Sequence, residues 1–215
     1  MGGVVTGLRV DVRRRGKVRV EIDGAGALML AKPLAATLHL GQNLSDEELA
    51  SLQRADEVEA AAQRAMRLVA IRPRSERELR DALTRARVPE PIQVEALERL
   101  RETGAIDDRA FARVWVENRQ AFRPRSSFAL KVELRRKGVA AETISAVLES
   151  ADDEAAALLA ARTAGRRLHG LSQEEFRRRL GGLLARRGFD YSIIRPVVER
   201  LWRETSGEPV ESEGA

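Results

Sequence analysis

The chain has 215 residues, no cysteine, and 38 Lys and Arg against 33 Asp and Glu, a formal net charge of +5. Disulfides and thiolate metal sites are excluded, and no apolar run reaches the roughly 18 residues that a membrane span needs. The first residues lack the charged-then-apolar order of a secretory signal, so a cytoplasmic protein is expected. The pI near 10.3 reflects the high pKa of arginine more than a large excess of charge. The placement of the charge is therefore more informative than its sum.

From the N-terminus, Leu8, Val10 and Val12 alternate with Arg9, Asp11 and Arg13, and Val18, Val20 and Ile22 alternate with Lys17, Arg19 and Glu21. Period-two alternation around Arg14-Arg15-Gly16 predicts a β-hairpin with one apolar face. Residues Ala27 to Ala31 can add a third strand after the turn at Asp23-Gly24-Ala25-Gly26. So small a sheet is marginal in water and is expected to pack on a helix. Pro33 suits the first turn of a short helix reaching about Leu40, and Gly41-Gln42-Asn43 breaks it. Ser45 with Glu48 three residues on reads as a capping box. The helix that follows carries Asp46, Glu47, Glu48, Asp56, Glu57 and Glu59, and is expected to show water an acidic face.

Beyond about Asp56 the pattern is helical and repeats. Ser75-x3-Leu79-x3-Leu83-x4-Val88 aligns with Ser126-x3-Leu130-x3-Leu134-x4-Val139 at an offset of 51, and with Leu180-x3-Leu184-x4-Phe189 at a further 50. Each copy has a helix before and a helix after this segment. Gly138 and Gly188 stand where the middle helix of the second and third copies must end; in the first copy Arg87 occupies that place, a departure from the pattern. Between the first two copies lies Gly104-Ala-Ile-Asp107-Asp108, the signature of one helix ending and another being capped by Asp107 or Asp108. With Asp107 as the cap, Ile106 and Phe111 have the spacing of a hydrophobic staple, and Phe111 and Trp115 share a helical face.

The expected fold is therefore mainly α: an elongated tandem array of three three-helix repeats preceded by a small N-terminal β-hairpin or three-stranded sheet. The expected divisions are 1–44 for the hairpin region and short helix, 45–107 for a linker helix and the first repeat, 108–151 and 152–204 for the second and third repeats, and 205–215 for a disordered tail.

Catalysis finds little support in the residues. His39 and His169 are isolated, and no second histidine stands at metal-ligand spacing. Phosphate-loop and nucleophile-elbow motifs are absent, and Asp107-Asp108 is better explained by capping. No enzyme, cofactor or metal is expected. Basic charge, by contrast, is concentrated. Between Arg119 and Lys137 lie Arg119, Arg123, Arg125, Lys131, Arg135, Arg136 and Lys137 against Glu133 alone. Between Arg162 and Arg187 there are eight arginines against Glu174 and Glu175. One cation per helix end follows from the helix dipole, which is worth about 0.3–1 kcal/mol; seven in nineteen positions do not. Phe111, Trp115, Phe122 and Phe128 mostly fall at core spacing, so neither a base-stacking platform nor sequence-specific readout is expected.

The run Gly-Ala-Ile-Asp-Asp-x-x-Phe-Ala-x-x-Trp-Val over 104–116, Arg119, Leu130-x3-Leu134-Arg-Arg-Lys-Gly-Val139 and, upstream, Arg74-Ser75-Glu76-x-Glu78-Leu79-x3-Leu83 resemble the RecX family over roughly residues 60 to 203. The resemblance implies a negative modulator of the RecA recombinase that lies along the groove of the RecA–DNA filament and curbs its ATPase, strand-exchange and co-protease activities. The implied partners are the RecA filament and single-stranded, and also double-stranded, DNA through its phosphates. No membrane is involved, and a monomer is expected. On charge clustering alone, the contact residues are expected to be Arg119, Arg123, Arg125, Lys131, Arg135, Arg136 and Lys137, with Arg177, Arg178 and Arg186 next. The alternatives are a stand-alone, sequence-nonspecific nucleic-acid-binding helical repeat module, or a scaffold whose basic face meets an acidic protein.

Overall fold

The computed structural model describes residues 2–14, 16–24 and 26–206. The expected turn residue Arg15 and the tail from residue 207 onward lie outside the described residues. The chain divides into two compact units, Met1–Asp107 and Asp108–Ala215.

The first unit opens with an antiparallel sheet of β1 (Gly3–Val10), β2 (Lys17–Ile22), β3 (Gly26–Ala31) and β4 (Asn43–Leu44), in the order β3-β2-β1-β4. Strand β1 starts five residues before the alternation beginning at Leu8, and a bulge between Val5 and Gly7 shifts its register on β2. Val5, Val18, Val20 and Leu30 form the buried face. Val10 and Val12, expected on that face with Leu8, are instead exposed at 60% and 91%. The cause at Val12 is local. The carboxylate of Asp11 accepts hydrogen bonds from the amides of Arg13 and Arg14 at 2.8 and 3.0 Å, so the chain is already turning there.

Helix α1 (Lys32–Ala35), shorter than expected, leads through β4 into α2 (Asp46–Ile71). The capping box is formed as the sequence predicts: Ser45 Oγ accepts from the Glu48 amide at 3.1 Å, and Glu48 Oε2 accepts from the Ser45 amide at 2.7 Å. The sheet does pack on this helix, through Leu49 and Leu52. Asp56 ties the two together, accepting from the amide of Ala31 at 2.6 Å and from Lys17 Nζ at 2.5 Å. The acidic side of α2 is therefore not only a solvated face. Glu59 likewise pairs with Arg99 at 2.7 Å.

The C-terminal half of α2, α3 (Glu76–Arg85) and α4 (Glu90–Glu102) make the first three-helix domain. The second unit holds α5 (Asp108–Phe122), α6 (Ser127–Arg136) and α7 (Ala141–Leu148), then α8 (Asp153–Gly165), α9 (Gln173–Arg186) and α10 (Tyr191–Ser206). Each domain has its own apolar cluster. The repeat read from the sequence is the repeat of the cores. Leu79, Leu130 and Leu180 are equivalent, as are Leu83, Leu134 and Leu184, and all six are fully buried. Asp107 immediately precedes α5, Ile106 belongs to the first core, and Phe111 belongs to the second. The rings of Phe111 and Trp115 lie 5.8 Å apart on the shared face.

The middle helices end alike. Arg87, Gly138 and Gly188 all take the left-handed conformation, with φ of 59°, 84° and 89°. Arginine there carries a steric cost that glycine does not. Arg87→Gly should therefore stabilise the first unit, by about 0.5 kcal/mol once the greater freedom of unfolded glycine is offset. Gly188→Ala should destabilise the second unit by about 2–4 kcal/mol. Its new Cβ would lie 2.7 Å from that of Ala129 and 2.8 Å from Ser126 Oγ, in a left-handed backbone. Denaturant unfolding of each variant measures both effects.

Candidate nucleic-acid interface

In both the first and the second domain, the first helix joins the second through the same tetrapeptide, Arg72-Pro73-Arg74-Ser75 and Arg123-Pro124-Arg125-Ser126. Proline turns its predecessor away from helical backbone, and serine caps the next helix. Ser75 Oγ accepts from the Glu78 amide at 3.3 Å, and Ser126 Oγ from the Ala129 amide at 3.1 Å. The two corners differ in charge. The Arg72 guanidinium bonds the Glu78 carboxylate at 2.9 and 3.3 Å, and this pairing raises the arginine's pKa. The residue at Glu78's position in the second domain is Ala129. Among the described residues no carboxylate pairs with Arg123.

What approaches the second corner is another arginine. Arg187, on the turn after α9, donates from Nη1 to the Pro124 carbonyl at 3.3 Å. Pro124 stands between Arg123 and Arg125 in the chain, so the Arg187 cation is near both. Its pKa is lowered, first by burial and then by the like charges of Arg123 and Arg125. The corner is held from the third domain by further bonds. The Ser126 hydroxyl donates to the Gly188 carbonyl at 2.6 Å, and the Ser126 amide to the Arg187 carbonyl at 3.2 Å. Ser127 donates to Asp153 from its amide at 2.7 Å and from its hydroxyl at 3.0 Å.

Three of the seven cations expected on this stretch are turned to an internal task. Glu133, half-buried on α6, accepts on one oxygen from Trp115 Nε1 at 2.8 Å and Arg119 Nε at 2.9 Å, and on the other from Arg125 Nη1 at 2.8 Å. Arg119 and Lys137 lie over the Trp115 ring, 4.6 and 4.9 Å from its centre. Arg119, Arg125 and Lys137 thus gather around one acid and one indole. Lys131, Arg135 and Arg136 on α6, and Arg177, Arg178 and Arg186 on α9, have no carboxylate partner among the described residues; all but the half-buried Lys131 are exposed. On α9, Arg178 and Arg186 are about two turns apart, and Arg177 is next to Arg178 in the chain. In the first domain Arg54, Arg72, Arg80, Arg99 and Arg101 are paired with glutamates, as are Arg162, Arg179, Arg195 and Arg200 in the third, whereas Arg64, Arg67, Arg74, Arg77, Arg85 and Arg87 have no carboxylate partner among the described residues.

Two aromatic residues stand outside the core. Phe122 and Phe128 are 77% and 69% exposed, at the end of α5 and the start of α6. They flank Arg123 and Arg125. The spacing of Phe122 from Phe111 and Trp115 suggests burial, but the proline corner ends the helix there; Phe128, two residues before Leu130, lies off the buried face of α6. Among the described residues no group of acids and histidines is arranged to hold a metal, and no helix is long and apolar enough to cross a membrane. The arrangement offers paired and unpaired cations with two aromatic faces.

Comparison with known proteins follows the same divisions. The models of the first, second and third three-helix domains of RecX match residues 61–100, 107–148 and 152–198. The regulatory protein RecX of Streptomyces lividans is 38% identical over 162 residues, covering 74% of this chain and 86% of its own. That of Mycolicibacterium smegmatis is 38% identical over 140 residues, covering 62% and 74%. A crystal structure of regulatory protein RecX superposes with a TM-score of 0.75 at 21% identity, over 92% of this chain and 99% of that one. The RecX structure from Lactobacillus salivarius gives 0.59 at 19%, over 68% and 97%. At those identities the two structures establish the shared fold.

Glu133 satisfies two arginines and an indole at once, so its removal strands more than it releases. Glu133→Ala should cost about 1–3 kcal/mol of stability in the second unit, read by denaturant unfolding. Glu133→Gln, which keeps acceptor oxygen for Trp115 but loses the charge, should cost less.

Proposed function

Since the chain belongs to the RecX family, we propose that it is a negative modulator of the RecA recombinase that works by occupancy and catalyses no reaction. It binds the groove of the RecA–DNA filament and lowers ATP hydrolysis, strand exchange and co-protease activity. The observation that supports this most is the second corner, where Arg123 and Arg187 come together with no carboxylate while the equivalent Arg72 is paired with Glu78; Lys131, Arg135, Arg136, Arg177, Arg178 and Arg186 of the same unit are also without one. Cations that the chain's own acids leave unpaired are open to a phosphate-bearing or acidic polymer. Several weak contacts carried on one chain add up multivalently, because each contact raises the local concentration of the next. Arg119, Arg125 and Lys137 support the surface from behind, holding α5 against α6 through Glu133 and Trp115.

The test adds the protein to RecA on single-stranded DNA and follows ATP hydrolysis and strand exchange. The expected result is inhibition at protein levels comparable to RecA; unchanged activity at those levels would overturn the proposal. Replacing Lys131, Arg135 and Arg136 by Glu leaves every described ion pair in place. It should raise the concentration needed for half inhibition by about tenfold or more. Comparing binding to DNA with and without RecA separates this reading, for which RecA strengthens binding, from a stand-alone nucleic-acid module, for which RecA makes no difference.

A further inference from the structure

We propose that the α5–α6 corner is a binding site for single-stranded nucleic acid, in which a base stacks on Phe122 or Phe128 and the adjoining phosphate lies on Arg123 and Arg187. This deepens the reading above, resting on it only in taking the filament's nucleic acid as the partner.

The two corners with the same tetrapeptide supply the argument. In the first domain the positions of Phe122 and Phe128 are filled by Ile71 and Arg77, and Glu78 neutralises Arg72. In the second domain both flanking positions are aromatic, the neutralising acid is gone, and a third arginine is drawn in by the Pro124 carbonyl. A ring that served only the core would be buried. These two are exposed, and they are the exposed large apolar side chains between Trp115 and Leu148. Exposed rings that alternate with arginines along the chain fit the alternation of base and phosphate in a single strand, where stacking is tolerant of sequence.

The site is also built in advance. Ser126 and Ser127 are bonded to Gly188, Arg187 and Asp153, so the backbone between the two rings is fixed before any ligand arrives. Little ordering remains to be done on binding. The like charges crowded at Arg187 are what an incoming phosphate would relieve. Asp153 is taken up by Ser127 and Glu133 by Arg119, Arg125 and Trp115, so neither carboxylate stands free to occupy the place of that anion.

The experiment measures fluorescence anisotropy of a labelled oligothymidylate and of an abasic strand of equal length, with the full chain and no RecA. The expected result is a preference of about tenfold or more for the strand that carries bases. Phe122→Ala with Phe128→Ala should abolish that preference and leave abasic-strand affinity unchanged; both side chains are exposed, and a circular dichroism melt checks the fold. Arg123→Ala should weaken both strands and lower the log–log salt slope by about 0.7. Equal affinity for the two strands in the parent protein, or an unaltered preference in the double phenylalanine variant, would overturn the site. If that variant keeps its strand preference but no longer inhibits RecA, the rings meet protein, and this inference falls while the proposed function stands. If strand binding behaves as expected but RecA is unaffected, the reverse holds.

Discussion

Each three-helix domain depends on one constraint: two leucines four residues apart, fully buried, on a middle helix of ten to fourteen residues. A helix that short has little stability of its own. It persists because Leu79 and Leu83, or their equivalents, fill the centre of a core that the first and third helices close. The left-handed residue after it then turns the chain sharply enough for the third helix to return. Once those positions are met, the outward faces are free to diverge, and the three domains differ mainly in what they do with charge.

That divergence shows in both units. In the first, glutamates on α2, α3 and α4 take up five arginines, Arg72 of the corner among them, and leave others such as Arg64, Arg67, Arg77 and Arg85 to solvent. In the second, Glu133 is shared among two arginines and an indole, and the outer cations of α6 and α9 are left to solvent. Surface ion pairs contribute little to stability, commonly up to about 1 kcal/mol. Which arginines are left unpaired is therefore more telling about partners than about folding. An arginine without a carboxylate is available to an anion from outside, and at the second corner Arg123 and Arg187 are such residues where Arg72 of the first is not.

Much of this was legible in the chain. The Leu-x3-Leu repeat gave three domains because burial imposes a strict period. Ser45 and Glu48 announced their helix because capping is local chemistry. The N-terminal sheet was less readable, since a bulge at Thr6 changes which residues face inward and no periodic template anticipates it. Charge clustering located the basic region but could not sort it. Whether an arginine is engaged depends on an acid fourteen residues away, as for Arg119 and Glu133, or on another domain, as for Arg187 and Pro124. The exposure of Phe122 runs against its spacing because spacing says which face a residue occupies only while the helix lasts. The repeated Arg-Pro-Arg-Ser was the signal that could have corrected this, since a proline corner in both copies ends the helix at Ile71 and at Phe122.

The Ser126 hydroxyl has two duties, accepting from Ala129 within its own domain and donating to Gly188 of the next. One oxygen atom therefore sits at the start of one helix and at the finish of another, 62 residues on. Fraying at either terminus withdraws a bond from the other, so the second and third domains are built to loosen together. Their tolerance of mutation is correspondingly joint: a fault accepted in one has already been charged against its neighbour.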